Sequence, residues 1–177
     1  DMGTPIRIAI NVSAHQFRQP NFTDIVADAL RKSGLPPSLL ELELTETVIM
    51  SDAEVNIARL VELKNLGVSL AVDDFGTGYS SLNYIHRLPI HTLKVDQSFV
   101  RDIRSGEDEA CIVNAIVAMA HGLRLEIVAE GVETEEQLAY LKKLGCHKVQ
   151  GFYYGPAQPK EMIEKSLGQV PAHAASL

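Results

Sequence analysis

Val68-Ser69-Leu70-Ala71-Val72-Asp73-Asp74-Phe75-Gly76-Thr77-Gly78 is the stretch on which the fold turns. A run of core-strand composition meets two adjacent carboxylates, and a glycine-bracketed loop follows at once. In α/β folds chemistry collects at the carboxyl ends of strands, so a strand that turns acidic in its last residues reads as one with a site at its end. Neighbouring carboxylates at the mouth of a core strand repel each other, and a divalent cation relieves that repulsion. Gly76-Thr77-Gly78 is neither G-x-G-x-x-G nor a P-loop with its lysine. It reads instead as a turn whose glycines let the backbone approach a ligand or close as a lid.

Outward from this stretch the same switch recurs. Further β-rich runs cover Arg7–Val12, Leu40–Leu44, Thr92–Val95, Glu126–Ala129 and His147–Gln150, and they turn polar at Asn11, Glu43, Lys94 with Asp96, Glu130 and Gln150. Strand centres at Ile8, Leu42, Leu70, Leu93, Ile127 and Val149 are 22 to 34 residues apart, enough for a crossover helix in every interval. The intervals carry helix signals. Ser51 with Glu54 has the S-x-x-E form of a capping box and Gly67 as a stop, and Thr134 with Gln137 forms a second box closed by Gly145. Helices are also predicted over Phe22–Ser33, Ser80–Arg87, Glu107–His121 and Lys160–Leu167. The pattern is that of βα units on a parallel sheet. A closed (β/α)₈ barrel takes about 250 residues, whereas this chain has 177. Two architectures fit: an open doubly wound sheet, or a TIM-type α/β barrel of about six units whose first two are absent from the chain.

Composition narrows the function classes. The formal charge of −7 comes with no basic run, so the chain lacks the footprint needed to grip duplex nucleic acid by its phosphates. No apolar stretch approaches the roughly 20 residues of a membrane span. Cys111 and Cys146 lie in or beside apolar stretches without ligand spacing, so both are expected as buried thiols in a reducing, cytoplasmic setting.

Each polar strand end has a plainer reading. Asn11 could close an Asx turn, and Glu43, in Glu41-Leu42-Glu43-Leu44, could face solvent. In a barrel, however, the alternate side chains of a strand point into the lumen. Lys94 is a lone cation inside a core strand, which carboxylates around it would explain. Glu130 and Gln150 say little alone. The six His residues show no metal-ligand spacing. Phe152, Tyr153 and Tyr154, between Gly151 and Gly155 and followed by Pro156, form either a packed loop or a rim suited to stacking on a base.

Together these residues carry a pattern. Ile10-Asn11-Val12-Ser13, Glu43-Leu44-Thr45-Glu46, Asp73 through Leu82, Lys94-Val95-Asp96, Glu130-Gly131-Val132-Glu133 and Gln150-Gly151-Phe152 resemble, in order and spacing, the motifs of the EAL-domain cyclic-di-GMP phosphodiesterases. The resemblance implies hydrolysis of cyclic-di-GMP to linear pGpG with two divalent cations, Mg²⁺ or Mn²⁺. Asn11, Glu43, Asp73 and Asp74 would be metal ligands, with Asp73 shared. Lys94 would steer water and phosphate, Glu130 would stand near the metals, and Gln150 would complete the catalytic group. Glu133 would fasten the loop from Asp74 to Ser81. Substrate would touch Ser13, Gly76, Thr77, Gly78, Tyr79, Ser80, Asp96, Phe152 and Pro156.

The family's Glu-Ala-Leu signature lies upstream of its Asn motif, and this chain starts ten residues before Asn11. Residues 1–170 are therefore expected to be the C-terminal three quarters of an EAL domain, with 171–177 a disordered tail and activity impaired. A sheet with open edges is expected to self-associate, and sensory or GGDEF-type domains would be fused to or regulate it. Two other readings stay open: an inactive cyclic-di-GMP receptor or interaction module, and a different metal-dependent barrel enzyme using Lys94.

Overall fold

The computed structural model describes residues 6–78, 82–103, 110–146 and 148–167. Tyr79, Ser80 and the 171–177 tail lie outside them. Six strands form one parallel sheet in chain order: β1 Ile8–Asn11, β2 Leu40–Thr45, β3 Ser69–Phe75, β4 Thr92–Val95, β5 Glu126–Glu130 and β6 Lys148–Gln150. A doubly wound sheet reverses its strand order at a switch point. Here each strand pairs with its successor throughout, as in a barrel wall.

The sheet is curled. Arg7, just before β1, reaches Glu126 at the start of β5 with 3.3 Å between Nη1 and Oε2. In a flat sheet those strands would stand four spacings apart, about 19 Å. Only curvature that brings the inner face round on itself permits the contact.

Helices cover the outer face. Phe22–Ser33 (α2) and Ala53–Asn65 (α4) follow β1 and β2, Cys111–Gly122 (α7) follows β4, Glu135–Lys143 (α8) follows β5, and Lys160–Leu167 (α9) lies beyond β6. The amphipathic pattern explains the packing: Leu60 and Leu63 of α4, Val113, Ile116, Val117 and Ala120 of α7, and Leu138 and Leu141 of α8 are buried against Leu42, Leu44, Leu70, Val72, Leu93 and Val95. β1 differs, since Ile8 and Ile10 are about half exposed and, among the described residues, only β2 pairs with it.

Three short helices, Ala14–Phe17 (α1), Glu46–Met50 (α3) and Gln97–Arg101 (α6), each spring directly from a strand end. Of the expected helix over Ser80–Arg87, the described residues hold the turn Leu82–Ile85 (α5), and Ser80 and Ser81 lie outside them. Thr134 and Gln137 make the predicted capping box, but Ser51 does not cap α4. It ends α3, donating from Oγ to the Val48 carbonyl, so the box expected with Glu54 does not form. Cys146 is buried as expected, whereas Cys111 sits exposed at the start of α7; both are free thiols. Among the described residues no helix is long and apolar enough to cross a membrane.

Candidate active site

Strand alternation decides which side chains enter the lumen. Leu42 and Leu44 of β2 join the helix-side core, so Glu41 and Glu43 take the other face. The same rule sends Asp73 of β3, Lys94 of β4 and Glu130 of β5 inward. The curled wall brings them together. Lys94 Nζ lies 2.7 Å from Glu43 Oε2, 3.0 Å from Asp73 Oδ1 and 2.7 Å from Glu130 Oε1. Lys94, Glu43 and Asp73 are buried. Burial favours the neutral amine, but hydrogen bonds to Glu130, Glu43 and Asp73 outweigh it and hold the ammonium above the ordinary lysine range, so Lys94 is charged at neutral pH.

One cation does not balance this cluster. Burial pushes the Glu130 carboxyl up, with Asp73 and Glu43 adding to the push against the pull of Lys94. Asp74 is raised as well, first by burial and then by the charges of Asp73 and Asp96.

Asp73 and Asp74 are consecutive and would point to opposite faces of a regular strand. The register against β4 breaks here, with Val72 opposite Leu93 and Phe75 opposite Val95, so three steps on β3 face two on β4. Within this bulge Asp74 takes a left-handed backbone, φ 53°, a conformation Asp tolerates better than most residues. The bulge re-aims the second carboxylate: oxygens of Asp73, Asp74 and Glu130 all come within 4.8 Å of one another. An all-oxygen donor set at that spacing suits a hard divalent cation.

Asn11 ends β1 opposite Glu43 in register, and the Val12 N–H donates to the Glu43 carbonyl at 2.9 Å. Asn11 is exposed. Ser13 is engaged in a capping box with Gln16 that starts α1, and Asp96 caps α6 by accepting from the Ser98 N–H at 2.9 Å. Gln150 stands opposite Glu130 on β6 and is exposed.

The Gly76–Gly78 loop is tied down by a residue that periodicity did not single out. Glu46, the first residue of α3, is almost fully buried and accepts the Gly76 N–H at Oε2, 2.9 Å. Among the described residues its Oε1 has no hydrogen-bond partner, and it faces Gly78, where an added Cβ would lie 2.5 Å from it. A side chain at that position would have to displace the Glu46 carboxylate. Thr77 bonds from Oγ1 to the Asp74 carbonyl at 2.8 Å. The sequence signal for Glu46 was the second acid of Glu43-Leu44-Thr45-Glu46, which falls on the first turn of a helix.

Glu133, expected on this loop, is placed elsewhere. It precedes the Thr134 cap of α8, is exposed, and gives its backbone N–H to Gln137 Oε1 at 2.8 Å. Beside the acidic cluster it lines a cavity of about 670 Å³, together with Glu130, Gln150, Phe152, Pro156 and Gln97. Phe152 and Tyr154 project there, 71% and 65% exposed.

The profile of the EAL domain family matches residues 1–157. The chain is 47% identical over 160 residues to the bifunctional diguanylate cyclase/cyclic di-GMP phosphodiesterase MucR of Pseudomonas aeruginosa, a match covering 90% of this chain and 23% of that protein. It spans under a quarter of the length of the first curated relatives it matches. The structure of the MucR phosphodiesterase in complex with c-di-GMP superposes with a TM-score of 0.85 at 47% identity, covering 89% of this chain and 64% of that one. A manganese/cy-diGMP complex of Klebsiella pneumoniae BlrP1 superposes with a TM-score of 0.75 at 35% identity, covering 82% and 38%.

Proposed function

Since this chain belongs to the EAL domain family, we propose that it hydrolyses cyclic-di-GMP to linear pGpG. The observation that carries the reading is the lumen cluster in which Lys94 meets Glu43, Asp73 and Glu130, with Asp74 turned towards them by the β3 bulge. Asn11, Glu43, Asp73 and Asp74 would hold divalent cations, Mg²⁺ or Mn²⁺ by the hardness of the donors. Such ions, when bound, lower the pKa of water and offset charge at phosphorus.

The chain's own groups divide the remaining work. Water adds to phosphorus, the P–O3′ bond breaks, and the products are a 5′-phosphate and a free 3′-hydroxyl. Glu130 engages Lys94 through Oε1, which leaves Oε2 to accept the proton of the attacking water, and its raised carboxyl favours that transfer. The Lys94 ammonium meets the negative charge that builds on the phosphoryl oxygens. Glu46 keeps the Gly76–Gly78 loop in place beside the acidic pair, while Gln150, Phe152 and Pro156 face the cavity where the dinucleotide lies. Ser13, Asp96 and the loop residues add contacts at its edge.

In the cell the domain works in the cytoplasm under sensory or GGDEF-type partner domains, as the larger size of its relatives suggests. Its core spans residues 1–170, and the edges at β1 and β6 pair with further polypeptide or a second copy. Product chromatography after incubation with cyclic-di-GMP and Mn²⁺ tests the reading. Linear pGpG from the wild type and none from Asp73→Ala is the expected result. Tight cyclic-di-GMP binding without hydrolysis would make it a receptor.

A further inference from the structure

The wall of the cavity beside Glu130 contains an exposed neutral amide, Gln97, that the protein contacts at both ends of its side chain. Gln97 opens α6, and its Cβ packs on the chain at Gly131, where an added Cβ would lie 2.5 Å away. Gly131 holds φ 70°, a left-handed backbone that glycine adopts readily and most residues do not. At its far end Gln97 Oε1 accepts from Arg101 Nη2 at 3.0 Å. With the acceptor half committed, the Nε2 half is left to the cavity. Among the described residues no acceptor takes its protons.

We infer that Gln97 is a specificity-determining residue that selects guanine over adenine in the dinucleotide, an inference that rests on the function proposed above. Guanine presents two acceptors, O6 and N7, on the edge where adenine presents N7 and an N6 amino donor. A carboxamide held with its NH₂ group outward complements the first and opposes the second. The other polar groups of the cavity fit the same base. The Glu133 carboxylate, exposed to the same space, accepts from guanine N1–H and N2–H₂, and Phe152 and Tyr154 offer faces for stacking. Stacking is tolerant of either purine, and the carboxylate favours guanine at its N1–H and N2–H₂ edge, so the O6 and N7 edge is left for Gln97 to read. On that edge Gln97 is the group that discriminates, and Arg101 acts through it by opposing rotation of the amide.

The test compares kcat/KM for cyclic-di-GMP and cyclic-di-AMP in the wild type, Gln97→Met, Gln97→Glu and Arg101→Met. Met keeps the Cβ contact with Gly131 and removes only the donor. It should lower kcat/KM for cyclic-di-GMP about tenfold and leave cyclic-di-AMP unchanged, so the guanine-to-adenine ratio falls by the same factor. Glu presents an acceptor where the donor was, and should depress cyclic-di-GMP further while raising cyclic-di-AMP. Arg101→Met frees the amide to turn and should lower the ratio by about threefold, a fraction of the loss on removing the donor itself. An unchanged ratio in both Gln97 variants overturns the inference, as does an equal loss on both substrates. If the wild type hydrolyses neither dinucleotide, the underlying reading falls and this one with it. Normal cyclic-di-GMP turnover with an unchanged ratio removes this one alone.

Discussion

At the carboxyl ends of the strands one lysine faces three carboxylates, whereas at the amino ends two cations face two. In the lower group Arg7 approaches Glu41 at 3.4 Å and Glu126 at 3.3 Å, Lys148 bonds Glu126 at 2.7 Å, and Thr92 donates to Glu41 at 2.8 Å. Both groups line the same curled wall and pair cations with carboxylates. They differ in charge balance. The lower one is closed within itself, and Lys148 holds the Glu126 carboxyl below its ordinary range, against the effect of burial. The upper one leaves a surplus of negative charge in a buried place, with Glu130 and Asp74 displaced upward. Surplus charge of one sign, held by the fold, is what sets the upper group apart from one that ties strands together.

The largest effect should follow from replacing Lys94 with Met. That change strands three buried or part-buried carboxylates, and loss of one partner from such a cluster costs about 3–5 kcal/mol. Thermal unfolding should show the loss in metal-free protein and a partial recovery with saturating Mn²⁺, while kcat falls by about 10²–10⁴. Recovery that is absent would mean the upper group does not take the ion. Asp73→Ala should cut hydrolysis by about 10²-fold or more and flatten the dependence of rate on metal concentration. Next comes Glu46→Ala, which frees the Gly76 N–H. Activity should fall about tenfold, in line with the loss of residues that orient a metal site, and higher Mn²⁺ should restore part of it.

Acid titration sharpens the contrast, because the two ends respond with opposite signs. A carboxyl raised by the fold adds stability at low pH that is lost as pH rises through its folded pKa; this is the case for Glu130 and Asp74. Glu126 is depressed, so its contribution is present above its ordinary value of 4.5 and disappears as pH falls through the folded value. Melts between neutral and acidic pH should show Asp74→Asn more stable than the wild type at neutral pH without metal, the gain vanishing on acidification. In Glu126→Gln the deficit sits at neutral pH instead. The smallest effect belongs to Lys148→Met, since that pair is half exposed. About 0–1 kcal/mol of stability is at stake, with hydrolysis unchanged; a large loss of turnover would break the distinction between the ends.

The strands, whose period of two repeats within about four residues, and the longer helices were legible because their signals repeat. Strand Thr92–Val95 and the helices Phe22–Ser33 and Lys160–Leu167 have the boundaries that periodicity predicts. So was the sequence of polar strand ends, since a carboxylate after an apolar run stands out. The short helices were not: α1, α3 and α6 hold four or five residues, too few for a period of 3.6 to register. Missing α3 hid Glu46, which in the sequence looks like one more acid of an alternating strand. Ser51 was misassigned for the same reason, its hydroxyl serving the helix that ends there. The bulge at Asp73-Asp74 was equally silent, because register is a relation between two strands. Chain order among six parallel strands decided between the two sheet architectures, and no local pattern encodes it.

The contact between Lys94 and Glu43 spans 51 residues of sequence, and Arg7 to Glu126 spans 119. At about 5–20 residues per second on the ribosome, the 87 residues between Glu43 and Glu130 take roughly 4–17 seconds to be made. For the first part of that interval the nascent chain carries Glu41, Glu43, Asp73 and Asp74 with no Lys94 to meet them. Pairing of β2 with β3 is then opposed by their like charges until β4 emerges, so the fourth strand sets the earliest moment at which this half of the wall can close.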